Sequence, residues 1–250
     1  MQCKHVDGIG GLLVLRADLS GNLGNLSLLR KDRSVDSKTT PEQVSQRLKD
    51  QFTPAYLTLT SIIQGVALSA LVVRVESQYP QFTATDWLLA IATFIAILAV
   101  WNEYVMLVLA FVWVPTLLDS AVPFAFLAGE LFAIHFTYHD LRLWLLTVAI
   151  LFLVGGAAQI VTSVQSRRFA AENRDISRIL APAGRIRTGF LLVFIVLGLG
   201  AWALYDVARL EQAQAIVAGL ALLAIIVFIG SAVPYWNRVL LYSQGIQRKP

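Results

Sequence analysis

The chain has 250 residues, of which 57% are hydrophobic and 14% charged, with a mean hydropathy of +0.66. Those values exclude an ordinary soluble domain, because the apolar runs are too long and too frequent for the one or two globular units that length alone would give. A net charge of +4 does not point to nucleic acid as a partner: the Lys and Arg flank apolar runs, which is how membrane topology is written, and the single Cys3 has no intramolecular disulfide partner.

Residues 1–40 are polar and rich in Gly, Ser, Asn and Asp. They read as a disordered arm, and the glycine-broken apolar patch at 9–15 is too weak for the core of a secretory signal. Thr39-Thr40-Pro41-Glu42 then supplies a hydroxyl cap, a proline at the first helical position and an acid in the first turn, so a short helix is expected over 41–53. Val44, Leu48 and Phe52 share one of its faces, which predicts a juxtamembrane helix lying on the membrane surface. The first span is expected at 54–73, with Gln64 at its centre.

Residues 87–136 carry only three formal charges, Glu103, Asp119 and Glu130. One helix of that length would run ~75 Å, more than twice the ~30 Å hydrocarbon core of a bilayer. The stretch must therefore cross, turn and cross back, and two placements of the turn compete. The preferred one is Asn102-Glu103-Tyr104, giving spans at 84–101 and 105–136 and setting Asp119, Ser120 and Pro123 near mid-membrane. The other puts the turn between Pro115 and Pro123, at Asp119-Ser120.

A fourth span at 141–164 contains Gly155-Gly156-Ala157-Ala158, small residues of the kind that allow close helix approach. Residues 165–188 carry Arg167, Arg168, Arg174, Arg178, Arg185 and Arg187, with apolar residues at helical spacing until Ala181-Pro182-Ala183-Gly184. This predicts a basic amphipathic helix on the membrane between spans four and five. The last spans are expected at 189–205 and 213–233, closed by Pro234-Tyr235-Trp236 and followed by a tail at 237–250. The fold class is thus an all-α integral membrane protein, a six-helix transmembrane bundle with both termini cytoplasmic. In that topology 17 of the 20 Lys and Arg lie inside, leaving Arg74, Arg142 and Arg209 outside. The expected location is the plasma, or inner, membrane.

A carboxylate at membrane depth costs ~2.5–3.5 kcal/mol on insertion scales, so it needs a partner or a task. Asp119, with Ser120 beside it, is the leading candidate for a cation or proton path in an oligomeric channel or small transporter, and Gln64, Glu103 and Glu130 are further polar candidates. Six short spans make a thin bundle, so a pore implies a homo-oligomer. The alternative is a noncatalytic module whose six arginines, Arg167 to Arg187, bind anionic lipid head groups or a protein partner. No cofactor motif and no specific catalytic signature is present. His135 and His139, four apart and near Glu130 and Asp140, have helical metal-pair spacing, but they lack the adjacent glutamate of a zinc-protease motif, which makes a metal-dependent enzyme a third reading.

The plan of six spans with both ends inside, an aromatic pair at Trp101 and Tyr104 and a Pro123-Phe124 step resembles the small six-helix potassium channels of bacteria and lysosomes. That family's first helix carries an Arg, Phe-Ser-Asp signature where this chain reads Tyr56-Leu57-Thr58-Leu59-Thr60-Ser61, so no pore residue is carried over.

Overall fold

A computed structural model describes residues 41–112, 116–138 and 140–244, with the backbone alone for 41–50 and 211. Residues 1–40, read as a disordered arm, and residues 245–250 of the tail lie outside the described residues. The described chain is all-α, without strands, and contains six helices long and apolar enough to cross a membrane. They are α1 (Pro41–Gln78), α2 (Ala84–Ala110), α3 (Leu117–His135), α4 (Leu141–Arg168), α5 (Ala170–Ala203) and α6 (Gln214–Ser243). Short 3₁₀ turns at Tyr79–Gln81 and Leu210–Ala213 lead into α2 and α6.

Three helices are longer than the hydropathy pattern implies, each running through a proline. Helix α1 continues from Pro41 through Pro54, so the expected surface helix and first span are one element. The basic segment is helical, as its spacing predicts, but its larger part is the first half of α5, and Pro182 does not stop it. Helix α6 passes Pro234 and ends at Ser243. A proline removes one backbone donor and crowds one carbonyl, which kinks a helix without necessarily ending it when neighbouring packing holds both halves.

The preferred turn at Asn102-Glu103-Tyr104 is corrected: all three residues are inside α2, and the break between α2 and α3 falls at residues 111–116. The physical reason is a capping box. The Thr116 hydroxyl accepts from the Asp119 backbone N–H at 3.4 Å, while Asp119 Oδ2 accepts from Thr116 N at 2.7 Å, so α3 starts there. Thr83 and Asp86 start α2 in the same way.

Side-chain pairings define the register. Tyr56, Gln64 and Arg74 on α1 meet Asp119, Glu130 and His135 on α3 in the same order, so these helices run parallel. Asp119 with Gln165, and Gly129 with Leu151, make α3 and α4 antiparallel. Gln159 with Gly184, and Ala149 with Gly198, do the same for α4 and α5. One end of the bundle therefore gathers the N-terminus of α5 and the C-termini of α2, α4 and α6. It is called the basic end here, because Arg167, Arg168, Arg174, Arg178 and Arg238 lie there.

The core sits where α1 to α4 and α6 converge and includes Leu89, Phe126, Leu145, Ile225 and the fully buried Trp144, whose indole N–H donates to Thr93 at 2.9 Å. The close-approach glycines differ from those expected. A Cβ on Gly198 would fall 2.9 Å from Ala149 Cβ and 3.4 Å from the Leu145 carbonyl oxygen, whereas one on Gly156 would meet nothing within 4 Å. Gly198, facing α4, is what lets α5 approach.

Candidate functional site

Asp119 stands in the first turn of α3, buried, at the basic end rather than at the middle of a span. Its Oδ2 also lies 2.7 Å from the Thr116 hydroxyl and 3.5 Å from Gln165 Nε2, and its backbone carbonyl accepts from the Tyr56 hydroxyl at 3.2 Å. Its carboxylate thus satisfies donors at a helix start, where the helix dipole favours negative charge. Ser120 does not bond to it; its hydroxyl donates back to the Thr116 carbonyl at 3.4 Å. The placement near mid-membrane that followed from a turn at Asn102-Glu103-Tyr104 is therefore replaced by one at a helix start.

Beside this cap, Asn173 of α5 holds the chain between α2 and α3. It is 1% exposed, and its amide accepts from Val112 N and donates to Val112 O, both at 2.8 Å. A second bond runs from Nδ2 to the Ser166 carbonyl at 3.2 Å. The backbone groups that a helix break leaves unsatisfied therefore find a partner in a side chain. Neither Asn173 nor Gln165 stands out in the sequence as a site residue.

Glu103 is not in a surface turn. It sits on α2 and forms a 2.6 Å ion pair with Arg187 of α5, the two side chains being 22% and 16% exposed. The Arg187 guanidinium also lies over the Phe228 ring of α6, 4.8 Å from its centroid. One arginine thereby ties α5 to α2 and α6.

That pair is part of the wall of a partly open cavity of about 810 Å³, formed by α2, α4, α5 and α6 with Phe126 of α3. The volume is within the ~300–1,000 Å³ usual for ligand sites. Its lining changes character along the helix axes. Farther from the basic end it is apolar: Val100, Leu151, Phe152, Leu191, Ile225 and Phe228. Nearer that end Gln159, Ser163, Ser166, Arg167, Arg185 and Thr188 are set among apolar and aromatic residues that include Leu107, Phe111, Leu180 and Trp236. Gln159 braces the wall, donating to the Gly184 carbonyl at 3.3 Å and lying 3.4 Å from the Thr188 hydroxyl. Arg167 and Arg185 have no ion-pair partner among the described residues. Arg168, Arg174 and Arg178, exposed like Arg167 and Arg185, do not line the cavity.

Gln64 and Glu130 meet on the other side of the core. Gln64 Nε2 donates to Glu130 Oε1 at 3.2 Å, and both side chains are buried. His139 of the His135 and His139 pair lies outside the described residues, and no group of three His, Cys, Asp or Glu is placed to hold a metal among the described residues. Asp140 caps α4 by accepting from Leu143 N at 2.9 Å.

Geometry and composition together define an integral membrane protein of six helices carrying an amphipathic internal cavity. Comparison with protein-family models, with curated proteins and with solved structures finds no match.

Proposed function

We propose that the protein binds an acidic membrane lipid in this cavity, with the head group between Arg167 and Arg185 and the acyl chains against Phe152, Leu191 and Phe228. The observation that carries the reading is the graded lining: apolar side chains run along the whole cavity, while the basic and hydroxylic ones are confined to one end. An apolar molecule would make no use of Arg167 and Arg185, which are exposed and carry no ion-pair partner among the described residues, and a small polar anion would leave the apolar wall uncovered. A lipid with a phosphate head satisfies both, and arginine matches phosphate geometry through paired N–H donors. Location in the plasma membrane with the basic end toward the cytoplasm is part of this reading, supported by the 17 of 20 Lys and Arg assigned to that side. So is the noncatalytic, lipid-binding role expected of the arginine segment, narrowed to the arginines that line the cavity. Channel or transporter activity through Asp119 draws no support from a carboxylate already engaged in capping.

The test is lipid retention by the purified full chain. Native mass spectrometry after exchange into mixed micelles should find acidic phospholipid retained over a zwitterionic lipid with the same chains, and Arg167→Gln with Arg185→Gln should abolish the preference. Equal retention of both lipids by the unmodified protein would remove the reading.

A further inference from the structure

Gln64 and Glu130 are 3% and 1% exposed, and they belong to the interior of α1 and α3. Their single bond, Gln64 Nε2 to Glu130 Oε1 at 3.2 Å, leaves one atom of each side chain over: Gln64 Oε1 and Glu130 Oε2 are both buried without a hydrogen-bond partner among the described residues. Both are acceptors when the carboxyl is ionised, so the amide and carboxylate can make only one bond between them. Two orphan acceptors and an uncompensated charge in the apolar interior are costly in combination.

The structure assigns the missing partner as a proton. We propose that Glu130 carries it on Oε2 and donates to Gln64 Oε1, while Gln64 Nε2 donates to Glu130 Oε1, closing a cyclic acid and amide pair. One proton taken from water converts two orphan acceptors into a bonded pair and removes the net charge. Gln64–Glu130 is thus a proton-binding site within the membrane-spanning bundle, separate from the lipid cavity. Among the described residues its surroundings supply no alternative counter-charge. From α2 the Tyr104 hydroxyl lies within electrostatic range, itself buried and without a hydrogen-bond partner among the described residues. From α4 the approach at neighbouring Gly129 is by the apolar Leu151. On α1 the guanidinium of Arg74 is directed to the His135 carbonyl at 2.9 Å and stacks over Tyr138. On α3 the other titratable groups are Asp119, bound in its capping box, and His135 in the last turn.

Infrared difference spectroscopy of the full chain in proteoliposomes at neutral pH tests this. Subtracting the Glu130→Gln spectrum from that of the unmodified protein should reveal the carbonyl stretch of a protonated carboxyl, shifted in deuterium oxide and unchanged by sodium or potassium. Glu130→Gln keeps a cyclic amide pair and should fold. Should it not, Gln64→Leu retains the carboxyl, and the same band should move to higher frequency as its hydrogen bonds are lost. Carboxylate bands in place of the protonated one, or a spectrum that responds to sodium, would overturn the assignment.

Discussion

Asn173 and Val112, 61 residues apart in the chain, form a closed pair: the side-chain amide of one takes both backbone hydrogen-bonding groups of the other, each at 2.8 Å. The pair fastens the α2–α3 break to the start of α5, and so ties the cap of α3 to the helix that carries Arg185 and Arg187. Asn173→Leu should leave two partly buried backbone groups without partners, at up to ~1–3 kcal/mol each. Thermal unfolding in detergent should show a clear loss, and Asn173→Asp, which keeps the acceptor but loses the donor, should fall between the two.

Asp119 should behave as a structural residue. Asp119→Ala removes a capping partner and is expected to cost ~0.5–2 kcal/mol, whereas Asp119→Asn keeps an acceptor for Thr116 N and should be milder. Neither should alter lipid retention once folded. A proteoliposome ion flux present in the unmodified protein and lost in a well-folded Asp119→Asn would restore the transport reading.

The glycines separate packing from permissiveness. Gly198→Ala forces α4 and α5 apart, since the new methyl meets Ala149 and the Leu145 backbone, and overpacking of this kind costs ~1–3 kcal/mol. Gly156→Ala meets nothing within 4 Å and should stabilise α4 by up to ~1 kcal/mol through helix propensity. Unfolding midpoints of the two variants, compared in one detergent, should move in opposite directions.

The Glu103–Arg187 pair lets charge at the cavity wall be varied in both directions. Glu103→Gln removes the negative charge and releases Arg187 toward the lumen, so acidic-lipid retention should rise and tolerate more salt. Arg187→Gln should weaken it, and also loosen the tie to Phe228. Retention measured against salt concentration for both variants checks the order.

The count of spans was legible because 50 residues with three charges exceed any single crossing, and the charge asymmetry of the flanks agreed in parity. The position of the inner break was legible too, in Thr116-x-x-Asp119, but its signal is local and polar within an apolar run, and Asn102-Glu103-Tyr104 is more conspicuous by hydropathy alone. Glu103 is carried inside α2 by a partner 84 residues away, which no local pattern reveals. The prolines at 54, 182 and 234 misled for a related reason: whether a proline ends a helix or bends it depends on what packs around it. The cavity belongs to several helices at once. Its arginines were visible as a charge cluster, but only the fold separates Arg167, Arg185 and Arg187, which line it, from Arg168, Arg174 and Arg178, which do not.

Photo-crosslinking with an acidic phospholipid bearing a diazirine on its acyl chain tests the lipid-binding account most directly. Crosslinks should map to Phe152, Leu191 and Phe228 on the cavity wall, and should be competed by unlabelled acidic lipid but not by zwitterionic lipid. Crosslinks confined to the outward Leu192, Val196 and Leu197 of α5, which are exposed on the bundle surface, would show that lipid only surrounds the protein and would contradict an internal site.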